Sequence, residues 1–216
     1  MTCKIQLALD TLDYDHALYL AHIISPWVDI LEAGTPLIKS VGIQIVSRLR
    51  EEFPDKLILA DLKSSDVGGY EAEMAFKAGA DIVTTQGITT LATIREVQSE
   101  ANKWGRRCEV DLTGVADPIA RTREIKALGV SLVLCHRSID EEVTKGSLWN
   151  EEALKTLGGL CDLEIDVAIA GGINLEVLDR FAKFPLYGIV VGRGITAQSD
   201  PAAAAQAIIQ RVKELW

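Results

Sequence analysis

Short apolar runs alternate with amphipathic helical segments along the whole chain, and this alternation constrains the fold more than any other feature. Eight such units follow one another, and their apolar runs start roughly 22 to 34 residues apart. Each run is continuously apolar, which is typical of strands that are buried on both faces. The predicted strands are Ile5 to Leu9, Val28 to Leu31, Leu57 to Ala60, Asp81 to Thr85, Cys108 to Asp111, Ser131 to Cys135, Ile165 to Ala170 and Tyr187 to Val191.

Strict alternation of strand and helix predicts a parallel sheet. Eight units favour a closed barrel over an open doubly wound sheet. We therefore expect the α/β class, with a single (β/α)8 TIM barrel over residues 1–216 as one catalytic domain, since no linker divides the chain. Between the last two strands the pattern predicts a helix over Leu175 to Lys183. Asp200 and Pro201 are typical of the start of the final helix.

The charge and composition of the chain exclude some classes of function. Its 216 residues carry a formal net charge of -9. This charge argues against nucleic acid as the main partner, because phosphate backbones are bound by Lys and Arg. The cysteines form no CxxC pair, so neither a zinc site nor a disulfide framework is indicated. No apolar run reaches membrane-spanning length and no signal segment precedes the first strand, so we expect a cytoplasmic protein with no membrane partner.

Polar side chains follow nearly every predicted strand at its carboxyl end. In a (β/α)8 barrel these ends converge on one face, where the active site lies. Four of the side chains are carboxylates, which repel one another without a counter-charge, and a Mg2+ site on Glu32 and Asp61 would supply one. The alternative is that strand-end acids cap the helices that follow them. The residues are Asp10, Glu32, Asp61 with Lys63, Asp111 and His136.

The third strand leads into a charged segment that ends at Asp66. Asp61 and Lys63 are expected on one face of the strand, because side chains alternate with a period of two. Asp66 lies beyond the strand end, before two glycines. An ammonium group held between two anions stays charged when water is excluded, and it can stabilise negative charge that develops on a substrate. The alternative is a strand-end salt bridge with a solvated loop Asp.

Glycines follow the last two strands. Gly171 and Gly172 come after the seventh, and Gly192 and Gly194 flank Arg193 after the eighth. Many barrels bind phosphate at this position, because glycine lets backbone N–H groups approach the anion and Arg can bind two of its oxygens. The alternative is that the glycines serve tight turns only.

One of the three histidines is placed to exchange a proton. His136 follows the sixth strand, whereas His16 and His22 fall in the first helix and are assigned no role. A histidine that faces the active-site end of the barrel can act as a general acid or base near neutral pH. The alternative is a structural, hydrogen-bonding histidine.

Five segments carry a family resemblance: Gln6 to Asp10, Glu32 to Pro36, Ala60 to Asp66, Ala170 to Ile173 and Val191 to Thr196. They resemble the orotidine 5'-phosphate decarboxylase superfamily. Within it, they are similar to the Mg2+-dependent branch that contains 3-keto-L-gulonate 6-phosphate decarboxylase and hexulose-6-phosphate synthase. The Asp-x-Lys-x-x-Asp signature at residues 61–66 is specific at its strand position, and the resemblance covers the whole chain.

The resemblance implies an enediolate mechanism on a phosphorylated sugar. Glu32 and Asp61 would hold Mg2+, Lys63 would stabilise the enediolate oxygen, and His136 would help to deliver a proton. A homodimer with shared active sites is also implied, in which Asp66 reaches the site of the partner subunit. The implied catalytic residues are Asp61, Lys63, Asp66, Asp111 and His136. The residues implied in substrate or phosphate binding are Asp10, Ala170, Gly171, Gly172, Gly192 and Arg193.

Local matches divide between the two activities of this branch. The segments that resemble the decarboxylase include His136 to Ser138, Leu112 to Gly114, Gly146 to Trp149 and Glu214 to Trp216. Three positions, Asp111, Ile139 and Ala170, fit the synthase better, since the decarboxylase usually has Glu, Arg and Thr there.

The breadth of the local matches favours the decarboxylase, which converts 3-keto-L-gulonate 6-phosphate into L-xylulose 5-phosphate and CO2 in L-ascorbate catabolism. The alternative is the synthase, which condenses formaldehyde with D-ribulose 5-phosphate. An alternative of another class is a non-catalytic barrel that senses a phosphosugar. The Asp61, Lys63 and Asp66 set argues against a sensor, which has no need of a charged lysine at a reacting centre. We therefore expect a carbon–carbon lyase.

Overall fold

The computed structural model describes residues 3–138, 140 and 149–216 of the chain. Eight parallel strands form a closed barrel in the order of the sequence, and the last strand pairs with the first. The predicted (β/α)8 class is confirmed. The strands are β1 (Lys4–Leu9), β2 (Ile30–Ala33), β3 (Leu57–Ser64), β4 (Ile82–Gln86), β5 (Arg107–Asp111), β6 (Leu132–His136), β7 (Asp166–Ala170) and β8 (Gly188–Val191).

Helices connect the strands and cover the outside of the barrel. Within the described residues they are α1 (Tyr14–Ile24), α2 (Thr35–Val41), α3 (Gln44–Glu52), α4 (Gly68–Lys77), α5 (Leu91–Trp104), α6 (Pro118–Lys126), α7 (Glu151–Cys161), α8 (Arg193–Thr196) and α9 (Pro201–Leu215). Two short 3-10 helices are formed by Ser25–Trp27 and Leu178–Phe181. None of the helices in these parts of the chain combines the length and apolarity needed to cross a membrane.

Polar side chains fix the starts of several helices. Each of these side chains accepts a hydrogen bond from the backbone N–H three residues later, which satisfies a donor that the helix itself leaves unpaired. The predicted start of the last helix is confirmed, since Asp200 caps it and Pro201 occupies its first turn. The capping residues are Asp13, Thr90, Asp117, Asn150 and Asp200.

The predicted helix over Leu175 to Lys183 is wrong in type and length. The structure has only the 3-10 helix Leu178–Phe181 there. Asn174 caps the turn before it, since its side-chain oxygen accepts from the N–H groups of Glu176 and Val177 at 3.0 and 3.3 Å. Pro185 disfavours helical backbone at the residue before it, so a helix cannot continue beyond this segment.

Inward and outward side chains alternate along the strands and form two apolar layers. On β1, Ile5, Leu7 and Leu9 pack against the helices, whereas Ala8 belongs to a separate cluster inside the barrel. Both faces of each strand are therefore buried, which explains the continuous apolar runs of the sequence. The inner cluster consists of Ala8, Ile30, Leu59, Ile82, Leu132, Leu134, Ala168, Ala170 and Val190.

Candidate active site

A cavity of about 820 Å3 lies at the carboxyl ends of the barrel strands. Its walls include strand-end side chains and the loops that follow β7 and β8. The structure thus brings together residues that the sequence placed on separate strands. The predicted site residues that line the cavity are Asp10, Glu32, Asp61, Lys63, His136, Ala170, Gly171, Gly172, Gly192 and Arg193.

The end of β3 is irregular, and this irregularity places Lys63. The register between β3 and β4 shifts between Ala60 and Ser64, as at a β-bulge. Lys63 itself has a positive φ of 48°, and its backbone N–H donates to the Thr84 hydroxyl at 2.9 Å. Bulges re-aim side chains next to active sites. Asp61 and Lys63 do share the cavity as predicted, although a bulge rather than regular alternation brings Lys63 there.

The Lys63 ammonium group lies between two carboxylates. Its Nζ donates to Asp61 Oδ2 at 2.8 Å, to Asp61 Oδ1 at 3.1 Å and to Asp111 Oδ2 at 3.0 Å. Both carboxylates are buried, whereas the Lys63 side chain is 25% exposed. The predicted cation between two anions is therefore present, but the second anion is Asp111 from β5 and not Asp66. We call Asp61, Lys63, Asp111 and His136 the ion cluster.

Neighbouring charges keep both ends of the Lys63–Asp111 contact ionised. Burial disfavours the Lys63 ammonium, but the Asp61 and Asp111 carboxylates outweigh this effect and raise the pKa of Lys63 above its usual range. Burial also disfavours the Asp111 carboxylate, yet the His136 hydrogen bond and the charges of His136 and Lys63 lower the pKa of Asp111 below its usual value. Lys63 is therefore cationic and Asp111 anionic at neutral pH.

His136 extends the ion cluster along the cavity wall. Its Nδ1 lies 2.9 Å from Asp111 Oδ2. The other oxygen of Asp111 accepts from the backbone N–H and the hydroxyl of Thr113 at 2.8 and 2.6 Å, so the carboxylate cannot rotate freely. A carboxylate on one ring nitrogen orients the imidazole. This arrangement leaves Nε2 of His136 to exchange a proton in the cavity.

Two threonines that the sequence analysis did not identify hold Asp61. The Thr84 hydroxyl donates to Asp61 Oδ1 and the Thr35 hydroxyl to Asp61 Oδ2, both at 2.6 Å. Each oxygen of Asp61 therefore accepts from both a threonine and Lys63. Threonine is common in strands and at helix starts, so its residue type carries no signal for this role. The inward position of Thr84 on β4 is the feature that could have identified it.

Glu32 is a buried carboxyl group beside the ion cluster. It is 6% exposed, and its Oε2 accepts from Gln6 Nε2 at 2.6 Å. Burial, followed by the Asp61 and Asp10 carboxylates, raises the pKa of Glu32 well above its usual value. A divalent cation relieves such crowding of carboxyl groups, and Mg2+ usually takes one or two protein carboxylates together with water or substrate oxygens.

Glu32 and Asp61 therefore fit a Mg2+ site that is completed by other oxygen ligands. Within the described residues, no group of three or more His, Cys, Asp or Glu side chains could hold a metal ion. The described residues therefore do not form a metal site from three or more such side chains. Mg2+ binding itself stays a prediction.

Close backbone contacts require glycine in the loops after β7 and β8. A Cβ atom at Gly171, where φ is 99°, would lie 1.9 Å from the carbonyl oxygen of Arg137. A Cβ atom at Gly194 would lie 2.2 Å from the carbonyl oxygen of Ile173. Trp149 Nε1 also donates to the Gly171 carbonyl at 2.8 Å. Packing alone thus accounts for these two glycines, and phosphate binding stays a prediction.

Some of the predicted residues lie elsewhere. Asp66 is exposed in the loop between β3 and α4, and it is not among the residues that line the cavity. Ile139 and the segment Gly146 to Leu148, which entered the comparison of the two activities, lie outside the described residues.

Comparison with known proteins identifies the family of this chain. Residues 3–208 match the model of the Orotidine 5'-phosphate decarboxylase / HUMPS family. The chain belongs to this family. It is 42% identical to a 3-hexulose-6-phosphate synthase from Methylomonas aminofaciens, over 94% of this chain and 96% of the relative.

Solved structures give the same family. A crystal structure of 3-hexulose-6-phosphate synthase is 35% identical, with a TM-score of 0.90, and the match covers 96% of this chain and 98% of the other. A 3-keto-L-gulonate-6-phosphate decarboxylase from Vibrio cholerae is 27% identical, with a TM-score of 0.91, over 100% of both chains.

These relatives confirm the predicted superfamily and the predicted enzyme class, a carbon–carbon lyase. They do not support the preference for the decarboxylase, because the synthases share the higher identity with this chain. The synthase, which the sequence analysis held as the alternative, is the better supported of the two.

Proposed function

We propose that this chain is a Mg2+-dependent lyase that condenses formaldehyde with D-ribulose 5-phosphate through an enediolate, the activity of a 3-hexulose-6-phosphate synthase. The observation that carries the proposal is the contact between His136 Nδ1 and the buried Asp111 carboxylate, at 2.9 Å. The similarity to named synthases supports the same activity.

The two candidate reactions make different demands on His136. Condensation must first remove a proton from a carbon of D-ribulose 5-phosphate, so it needs a base. Decarboxylation forms its enediolate by loss of CO2, so it needs only a proton donor afterwards. A histidine whose Nδ1 is held by a buried carboxylate has its ring oriented, so that Nε2 can take a proton from carbon. The Asp111–His136 pair therefore favours condensation.

Lys63 would stabilise the enediolate in either reaction. Its charge is fixed by Asp61 and Asp111, its side chain is 25% exposed, and it lines the cavity. A preorganised cation in a site that excludes water stabilises negative charge without the cost of reorienting solvent. Mg2+ held by Glu32 and Asp61 would supply further positive charge beside the substrate oxygens when it is bound.

The loops after β7 and β8 are the proposed site for the sugar phosphate. Gly171, Gly172 and Gly192 line the cavity, so backbone N–H groups can approach an anion there. Arg193 lines the same wall and can bind two phosphate oxygens. Asp10, at the end of β1, can accept a hydrogen bond from a sugar hydroxyl group.

A homodimer would give Asp66 its role. Asp66 is exposed in its own subunit and lies outside the cavity lining. The helix that follows presents the exposed side chains of Tyr70 and Met74, at 78% and 45%, and Val67, the residue before the helix, is 56% exposed beside them. Residues three and four positions apart lie on one face of a helix, so these side chains form an apolar stripe beside Asp66. A second subunit that covers this stripe would bring Asp66 towards the partner's site.

Deuterium exchange tests the proposed role of His136. D-ribulose 5-phosphate is incubated with the enzyme and Mg2+ in D2O without formaldehyde, and the loss of the carbon-bound proton is followed by NMR. We expect exchange with wild type and with His22→Gln, a matched change at an exposed histidine that pairs with Glu52. We expect none with His136→Gln. Equal exchange in both variants would contradict the assignment of the base.

A further inference from the structure

Glu109 is a buried carboxyl group that the proposed reaction does not use. It lies on β5 two residues before Asp111, so its side chain points into the barrel one inward-facing position deeper. It is 1% exposed and lines the inner end of the cavity. Its register partner on β4 is Thr84, which holds Asp61.

Glu109 has no hydrogen-bond partner among the residues that the structure describes. Both Oε1 and Oε2 are buried and unpaired. Buried polar groups are nearly always hydrogen-bonded, to protein or to ordered water, because an unpaired group loses its hydration without compensation. A well-packed apolar side chain at this position would be more favourable for the fold. Glu109 therefore does not serve stability by itself.

The surroundings of Glu109 favour its neutral form. Burial raises the pKa of Glu109 to about 8, and the Asp111 and Asp61 carboxylates act in the same direction against Lys63 and Arg107. A protonated carboxyl group can both donate and accept a hydrogen bond. It can therefore bind a water molecule without adding a further negative charge below the ion cluster.

Other polar groups lie at the same end of the cavity. Gln6 and Thr84 line it together with Glu109, and Lys63 lies above them at the level of Asp111. Small and aliphatic side chains such as Leu134 and Val190 form the remaining wall. Buried water typically has two to four polar partners among groups that are otherwise unsatisfied. At the inner end of the cavity the two Glu109 oxygens are unsatisfied, and Gln6 Oε1 and the second lone pair of the Thr84 hydroxyl can supply further partners.

We propose that Glu109 is a positioning residue, whose carboxyl group holds a buried water molecule beneath the Lys63 ammonium group and so fixes Lys63 against the reacting end of the sugar phosphate. The inference rests on the proposed function, since it gives Lys63 its catalytic task. A supporting group of this kind acts on turnover more than on substrate affinity, because the water and Glu109 do not touch the phosphate loops.

Two substitutions at Glu109 separate this role from a structural one. Glu109→Met has a similar size but cannot bind water, whereas Glu109→Gln retains both hydrogen-bonding functions. We expect E109M to lower kcat by about 10-fold to 100-fold with little change in KM, as is typical for groups that orient an active-site residue. Its melting temperature should equal or exceed that of wild type. We expect E109Q to restore most of the activity.

Leu59→Met is the matched control for repacking inside the barrel, because Leu59 is buried in the inner apolar cluster. It should leave kcat unchanged. Glu109 would have no positioning role if E109M kept kcat within about twofold of wild type, or if E109M and E109Q lowered kcat equally. A melting temperature of E109M far below wild type would show a structural role and overturn the proposal.

A crystal structure tests the water directly and does not depend on turnover. We expect an ordered water molecule on the Glu109 carboxyl group in wild type and its absence in E109M. A Glu109 carboxyl group without an ordered water molecule in wild type would overturn the proposal. If wild type neither condenses formaldehyde nor releases CO2, the proposed function fails, and the crystal structure still decides whether Glu109 holds water.

Discussion

Replacement of Lys63 by Met removes a cation from between buried carboxylates while the length of the side chain is kept. Hydrogen bonds to charged groups contribute about 1.5–3 kcal/mol each, and removal of one partner from a buried ion pair costs about 3–5 kcal/mol. Asp111 keeps its contacts with His136 and Thr113, and Lys63 is 25% exposed. We therefore expect K63M to lower the free energy of unfolding by about 3 kcal/mol at pH 8.

The effect of K63M should depend on pH, and its sign follows from the direction of the pKa shifts. In wild type the pKa of Asp111 is lowered, so its contribution to stability is present above the unfolded value and is lost as pH falls. Lys63 also lowers the raised pKa values of Glu32 and Glu109, so both values rise further when Lys63 is replaced. The variant then loses more stability than wild type as pH rises above the unfolded Glu value of about 4.3. The difference between wild type and K63M should thus be larger at pH 8 than at pH 5.

Urea unfolding at both pH values measures this difference, and steady-state kinetics measures the loss of the cation at the reacting centre. We expect kcat of K63M to be about 100-fold to 1,000-fold lower than that of wild type. Lys77→Met is the control, because Lys77 is 60% exposed and pairs with Glu73 on the surface of α4. It should change stability by about 0.3–0.5 kcal/mol at most and leave kcat unchanged. A K63M protein as stable as wild type at pH 8 would show that the buried carboxylates do not need the Lys63 cation.

Three further predictions concern the metal, a glycine and the assembly. EDTA should abolish activity and Mg2+ should restore it, and E32Q should need more Mg2+ for half-maximal activity. Full activity of wild type in the presence of EDTA would contradict a role for the metal. A positive φ costs a non-glycine residue about 1–3 kcal/mol. Gly171→Ala should lower the free energy of unfolding by more than this, because its Cβ would lie 1.9 Å from a backbone oxygen. Gly105→Ala is the control, since its φ is 62° but no atom lies within 4 Å of the added Cβ, and an equal loss in the two variants would contradict the clash. Wild type should sediment as a dimer. If Asp66 acts on the partner's site, a mixed dimer of K63M and D66A contains one intact site. A mixture of the two inactive variants should therefore regain activity. An active monomer, or a mixture that stays inactive after subunit exchange, would contradict the shared site.

The fold and the location of the site could be predicted from sequence because both follow from periodicity. Apolar runs buried on two faces identify the strands, and the barrel rule places every strand end on one face. Asp10, Glu32 and His136 were found in this way, each at the end of a different strand. The segment before β8 was predicted wrongly, because Leu178 and Phe181, three residues apart, can be buried by a 3-10 helix as well as by an α-helix.

Contacts between strands could not be predicted, because they depend on register. The second anion on Lys63 comes from β5, far away in sequence, and the Lys63 backbone adopts a left-handed conformation that strand alternation does not describe. Thr84 and Glu109 were missed for the same reason. Their roles arise from their inward-facing positions at adjacent points of β4 and β5, and neither residue type signals a site by itself.

A paired assay of the purified protein with Mg2+ tests the proposed function most directly. One arm measures the condensation of formaldehyde with D-ribulose 5-phosphate, and the other measures the release of CO2 from 3-keto-L-gulonate 6-phosphate. We expect condensation to dominate, because Asp111 supports His136 as a base. Dominant release of CO2 would show that the enzyme is a decarboxylase, and the absence of turnover in both arms would leave a barrel that binds phosphosugars without acting on them.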